Sequence, residues 1–226
     1  MFEQIAEQLP LFFNYYNLIF ILQAMGRTLA MTFFGCTVGF IFGFMIAVLR
    51  LSSSRLLFIF RLLGIAYVET FRRIPFLVIL FIVLFVIEPL LPGTSLLGIA
   101  TVSICLLSTA FLSEVIRSGL ESVPDQQIEG ARALNFNSIQ TLVMVILPQS
   151  WKVILPPASA FIVMFIKDTS LASQLGVIEL TFAGKMLVNR GFSPVLGFGV
   201  VLICYFALSY PLSRFASYLE RRLASS

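Results

Sequence analysis

Four consecutive polar residues, Lys167, Asp168, Thr169 and Ser170, follow the apolar run Val153 to Ile166. Charges inside so hydrophobic a stretch are costly and mark candidate functional positions. At 1.5 Å per residue, about 21 Å of helix separates Val153 from Lys167, which carries the charges past the midplane of a bilayer entered at Val153. On a regular helix Lys167 and Asp168 diverge by about 100°, so both find uses only where the helix loosens or lines a wet cavity. Either the Asp168 carboxylate receives a cationic group such as an ammonium while the Thr169 and Ser170 hydroxyls bond its polar groups, or the charged pair caps a broken helix.

The chain has no histidine. That removes an imidazole proton relay and a common metal ligand, so no metal site is expected. The carboxylates are scattered, with no acid–base pair at one depth, which argues against an integral membrane enzyme; no catalytic residue is assigned. No G-x-x-x-x-G-K-[ST] phosphate loop is present. Cys36, Cys105 and Cys204 stand alone in apolar runs and read as buried thiols, leaving the redox compartment open.

Other polar residues share the apolar segments. Ser108 and Thr109 lie about 18 to 20 Å into the run Leu96 to Ile116 and either face the same cavity or bond back to their own helix. Pro75 removes an amide and frees a carbonyl. Arg73 beside it either meets a carboxylate or serves as a topology charge. Glu114 and Arg117 are one turn apart, so an i,i+3 ion pair is expected near the inner end of that run.

The elements that hold these residues are set by composition. The chain of 226 residues is 59% hydrophobic and 12% charged, whereas soluble domains are about 25% charged. Thr28 to Leu49, Leu96 to Ile116 and Phe192 to Ser213 each reach the roughly 20 residues that a crossing needs. Ile74 to Ile87 and Val153 to Ile166 offer about 14 clean residues each, roughly 21 Å. To cross, these must draw polar neighbours into the membrane, as interrupted helices do; otherwise they are re-entrant or interfacial. An all-α integral membrane protein with about five transmembrane helices is expected.

With five spans, Arg50, Arg55, Arg61, Arg72, Arg73, Arg117, Arg132, Lys152, Arg214, Arg221 and Arg222 share one side, against Arg27, Lys185 and Arg190 on the other. The positive-inside rule therefore puts the N-terminus outside and the C-terminus in the cytosol. The net charge of +4 reads as topology, and no nucleic acid partner is inferred. Met1 to Pro10 is acidic and polar, unlike a cleavable signal peptide. Leu51 to Thr70, with Arg61 among apolar residues, reads as a helix at the inner interface. Gly35, Gly39 and Gly43 form a small-residue stripe suited to close helix packing.

Between the third and fourth spans lies "EGARALNFNSIQTLVMVILP", Glu129 to Pro148. Ser122 and Asp125 have the spacing of a capping box, and Pro124 suits a first helical turn. Gly130 is a tolerated weak point, and Asn135 is a good left-handed terminator. Asn137 and Gln140 form a second cap pair with Phe136 as staple, and Pro148 ends or kinks the helix they open. The expectation is two short helices meeting at a corner, with Phe136 exposed beside it. This is either an ordinary loop whose Phe folds back or a knob that docks into a soluble partner.

Here the sequence resembles a known family. Permease subunits of bacterial ABC importers carry Glu-Ala-Ala, three residues, Gly, nine residues, Ile, one residue, Leu-Pro. This chain keeps that spacing with Glu129-Gly130-Ala131, Asn135, Val145 and Leu147-Pro148. Gly130, Asn135 and Val145 are substitutions, and Asn preserves a left-handed corner. "ETFRRIPFLVILF", "AFLSEVIRSGLESVP", "FIKDTSLAS" and "YPLSRFASYLERRL" are similar to segments of the polar amino-acid uptake permeases, so the likeness runs roughly from Thr28 to Leu223. Arg73 departs from the small residue often seen at its place.

The resemblance implies one transmembrane permease domain over 1–226, type I ABC importer permease-like, with a cytosolic coupling-helix segment at 122–148. It implies that the chain moves a polar amino acid across the bacterial cytoplasmic (inner) membrane by alternating access. The implied partners are a cytosolic ABC ATPase dimer, a second permease copy or sister permease, an extracytoplasmic solute-binding protein and the lipid bilayer. ATP and Mg would be bound by the ATPase subunits and no cofactor by this chain. Glu129, Gly130, Ala131, Ala133, Leu134, Asn135 and Phe136 would dock into the ATPase. Asp168, Lys167, Thr169, Ser170, Thr109, Ser108, Pro75 and Arg73 are the candidates for the substrate path, with Asp168 taking the ammonium. The alternative is an ion-coupled secondary amino-acid carrier, which would need internal repeats and more spans; no two-fold repeat is visible.

Overall fold

The computed structural model describes residues 2–52 and 54–224, and every regular element among them is helical. A short helix α1 (Phe2–Phe12) leads into α2 (Tyr15–Leu51), whose first turn is closed by the Asn14 side chain accepting the Asn17 amide at 2.9 Å. The 37 residues of α2 reach about 55 Å, well beyond the roughly 30 Å of a hydrocarbon core. The central partner is α5 (Leu96–Glu121), opened by Ser95 accepting the Gly98 amide at 3.1 Å.

The glycine stripe explains how closely these two helices approach. A Cβ at Gly35 would stand 2.3 Å from the Ile104 Cγ2, one at Gly39 2.1 Å from the Ser108 Oγ, and one at Gly43 2.9 Å from the Ser113 amide. Only a hydrogen fits at each place, so the small-residue stripe is a packing surface. Around it lies a core of Met31, Ile79, Leu80, Ile104 and Phe165, contributed by four helices.

The second span is broken. Helices α3 (Phe58–Phe71) and α4 (Phe76–Leu90) meet at 118°. Pro75 has no amide to continue α3 and disfavours the helical region for Ile74. Its carbonyl instead accepts the amides of Val78 and Ile79 at 3.0 and 3.3 Å, starting α4. Phe58, Ile59, Phe60, Leu62 and Leu63 of α3 all remain exposed, as suits a helix lying at a membrane surface.

After α6 (Asp125–Ala133) and the single turn α7 (Ser138–Gln140), a π turn over Thr141–Ile146 runs into α8 (Leu147–Asp168). This corrects one expectation. Pro148 does not end the helix, because the Leu147 amide reaches back to the Leu142 carbonyl. That wide turn gives the proline ring room against the turn before it. The fourth candidate span draws in polar neighbours on both sides of Val153 to Ile166, as a crossing there requires: helical winding extends over Ser138–Leu175. The chain closes with α9 (Leu180–Asn189) and α10 (Pro194–Ala224). Among the described residues four helices are long and apolar enough to cross a membrane, and the bent α3–α4 pair, counted as one span, makes a fifth. Large apolar side chains such as Phe33, Phe34, Ile203 and Phe206 point outward, a surface that only lipid or another apolar chain covers without penalty.

Candidate functional site

Helix α8 stops at Asp168 and the backbone tightens into a 3-10 stretch over Thr169–Leu175, closed by Gly176 at φ 85°. Lys167 and Asp168 are the last two residues of α8, so the change in winding follows directly after them. Lys167 is exposed and Asp168 half-buried; among the described residues, no hydrogen bond or ion pair engages the Asp168 carboxylate. Thr169 is fully buried and donates to the Ile166 carbonyl at 2.6 Å, while Ser170 is half-buried.

A buried polar cluster holds the far end of this stretch. Glu179 is completely buried and begins α9, accepting the amides of Thr181 and Phe182 at 2.9 and 2.8 Å and the Tyr205 hydroxyl of α10 at 2.8 Å. It lies in the connection between spans. Burial pushes its carboxyl up, opposed by those three donors and by the charge of Lys185. Lys185 donates to Ser173 at 3.0 Å, Arg27 of α2 to the Ile178 carbonyl at 3.2 Å, and the Leu180 amide to Thr28 at 3.3 Å. Sequence reasoning missed this anchor. Its signal was Glu179 standing alone among apolar residues immediately before a run of helix formers.

The other path candidates are not gathered here. Ser108 is fully buried and donates to the Gly35 carbonyl of α2 at 2.7 Å; Thr109 donates to Cys105 at 2.7 Å. In this conformation the Ser108 hydroxyl serves the α2–α5 contact and the Thr109 hydroxyl its own helix. Arg73 pairs with Glu69 one turn back on α3, and its side chain is 78% exposed. Pro75 starts α4 at the elbow.

Glu114 does more than pair with Arg117. It accepts from Arg50 at the end of α2 at 2.8 Å and lies 3.7 Å from Arg72 at the elbow, with Arg117 bonded to its other oxygen. Arg117 in turn reaches Glu121. The i,i+3 pair was legible, but the partners from two other helices were not. The Arg72 guanidinium also stands 5.8 Å over the Phe111 ring, a cation–π contact.

The hairpin after α5 is built on a locked corner. Asn135 has φ 59°, the only positive value outside glycine among the described residues. The Phe136 amide bonds the Ala131 carbonyl at 3.0 Å and the Asn135 amide bonds Arg132 at 2.9 Å, the paired bonds of a Schellman motif. Asn137 and Gln140 then form a reciprocal capping box, both bonds 2.9 Å. The box expected at Ser122 and Asp125 does not form. Ser122 instead terminates α5, its hydroxyl bonded to the Gly119 carbonyl at 2.7 Å, and Pro124 opens α6 without a side-chain cap. The expectation of an exposed Phe136 is also corrected. The ring turns back, half-buried, into the wall of a cavity shared with Leu120, Val123, Ile128 and Leu142. A Schellman turn brings the residue after the corner onto the last turn of its helix, and Ala131 there is buried as well. The apolar side chains presented outward are Leu134 and Ile139, 71% and 74% exposed. Glu129, Gly130, Ala133 and Asn135 are exposed beside them.

Residues 39–225 match the family described as binding-protein-dependent transport system inner membrane component. The chain is 33% identical over 192 residues to the probable glutamine ABC transporter permease protein GlnM of Bacillus subtilis, covering 83% of this chain and 85% of that one. It is 32% identical over 197 residues to the L-cystine transport system permease protein TcyB of the same organism, covering 87% and 83%. It is 31% identical over 209 residues to the glutamate transport system permease protein GluD of Corynebacterium glutamicum, covering 90% and 75%. Among solved structures, an amino acid ABC transporter with histidines superposes with a TM-score of 0.81 at 25% identity, covering 91% of this chain and 94% of that one. The inward-facing MetNI methionine ABC transporter shares the fold, with a TM-score of 0.81 at 22% identity and coverage of 93% and 99%.

Proposed function

The chain belongs to the family of binding-protein-dependent transport system inner membrane components, and from that membership we propose that it carries a polar amino acid inward as the transmembrane subunit of an ABC importer. It is a pore-forming transport subunit, and ATP hydrolysis belongs to a partner. The relatives named above for glutamine, L-cystine and glutamate share an α-amino acid as cargo, which suits an unpartnered carboxylate within the membrane. In this reading two ATPase subunits, binding ATP and Mg, dock beneath a pair of permeases in the bacterial cytoplasmic membrane, and an extracytoplasmic binding protein delivers the substrate. The N-terminus faces outward and the C-terminus the cytosol.

The observation that carries the reading is the corner at Asn135. It is locked from both sides by backbone and cap bonds, so it transmits force without bending, and it offers Leu134 and Ile139 to a soluble partner. Glu129, Gly130 and Ala133 border that contact, while Ala131 and Phe136 brace the hairpin from behind. Asp168, with Lys167, Thr169 and Ser170, receives the amino acid where α8 changes winding. Leu134→Asp combined with Ile139→Asp should abolish ATPase co-purification while leaving membrane insertion intact; normal co-purification would overturn the docking assignment. Uptake by this chain alone on an ion gradient, without any ATPase, would favour a secondary carrier instead.

A further inference from the structure

We propose that Arg72 and Glu114 are positioning residues that couple the docking hairpin to the elbow of the second span. The inference rests on the transport reading above. Glu114 sits on α5, and after Glu121 only Ser122, Val123 and Pro124 separate that helix from α6. Displacement of the hairpin therefore reaches α5 through a very short connection. The carboxylate then ties α5 to two further elements with unequal strength. The Arg50 bond is 2.8 Å long with the arginine side chain 9% exposed, a charge-assisted bond that reinforces the glycine contact between α2 and α5. The Arg72 contact is 3.7 Å long with its arginine side chain 36% exposed, a loose pair of little value to stability.

One carboxylate thus has a fixed side, the α2–α5 body, and an exchangeable side, the elbow where α3 and α4 meet at 118°. Arg72 also covers Phe111, whose ring packs against Phe161 and Phe165 of α8 at 5.1 and 6.1 Å. The elbow therefore touches α5 at two positions one turn apart, and the second borders the helix that ends at Asp168. Arg73, the next residue, pairs instead with Glu69 of α3.

The test uses the permease purified with its ATPase subunits and binding protein and reconstituted in proteoliposomes. A radiolabelled mixture of protein L-amino acids is the probe, and uptake per ATP hydrolysed is the readout, with thermal stability and subunit co-purification alongside. Arg72→Gln and Glu114→Asp should each lower uptake per ATP by about tenfold, the scale of a modest coupling free energy. ATPase activity and stability of the Arg72→Gln complex should stay at wild-type levels. An Arg72→Gln complex with wild-type uptake per ATP overturns the proposal. So does one that fails to assemble or melts earlier, since the contact would then serve the fold. A wild-type complex that imports nothing on ATP overturns the transport reading itself and the coupling role with it.

Discussion

Replacing Gly39 by alanine tests the close approach of α2 to α5. The added Cβ would lie 2.1 Å from the Ser108 Oγ, 2.7 Å from the Ser108 Cβ and 2.9 Å from the Ser108 carbonyl carbon. The hydroxyl can rotate away, but the Cβ and the carbonyl carbon belong to the rigid part of α5. Restoring ordinary contact means moving from 2.7 to 3.4 Å, so the helices must part by about 0.7 Å locally. A gap of that size forfeits a quarter to a half of each dispersion contact along the seam, and overpacking of this kind costs about 1–3 kcal/mol. Parting also stretches the bond from Ser108 to the Gly35 carbonyl, now 2.7 Å, worth about 1 kcal/mol. Set against the gain of up to about 1 kcal/mol in helix propensity that alanine brings, Gly39→Ala should therefore destabilise the protein by about 1–3 kcal/mol. The measurement is equilibrium unfolding in mixed micelles, followed by loss of helical circular dichroism as the fraction of denaturing detergent rises. Gly26→Ala is the reference, because nothing lies within 4 Å of a Cβ there and its higher helix propensity should stabilise by up to about 1 kcal/mol. Equal stability of the two variants would refute the reasoning from close approach.

Two further substitutions probe the site. Asn135→Val should cost about 2 kcal/mol and disturb the hairpin, since a β-branched residue resists φ 59°, whereas Asn135→Gly should be close to neutral; ATPase co-purification lost in the first and kept in the second is the check. Asp168→Asn should cut uptake in the reconstituted importer by at least about tenfold, the value of one hydrogen bond to a charged group, with assembly unchanged. Full activity of Asp168→Asn would instead assign the residue to capping the end of α8.

The membrane class, the span count and the locked corner were all legible, and for one reason: each depends on neighbours close in the chain. A crossing helix must be apolar along its length because lipid offers its backbone no partners. The corner at Asn135 is written in bonds that span at most five residues. Even the elbow at Pro75 comes from a missing amide. Where local signals competed, sequence reasoning went astray. Ser122 and Asp125 have the spacing of a cap, yet Ser122 stays bonded into the end of α5. Pro148 looks like a stop, yet a π turn accommodates it.

The tertiary structure alone decided which polar group meets which. Ser108 and its acceptor are 73 residues apart, and Arg50 and Glu114 are 64 apart; no spacing rule reaches that far. Arg72 and Arg73 are adjacent and chemically identical, but the bend at the elbow aims one at α5 and leaves the other on its own helix. The side of the hairpin that Phe136 takes depends likewise on where the ends of α2 and α5 lie. Local hydrogen bonds determine where helices begin, turn and end, and the sequence carries those directly. Packing three helices within reach of one carboxylate is a property of the assembled bundle, where the glycine stripe draws α2 onto α5 and so brings distant charges together.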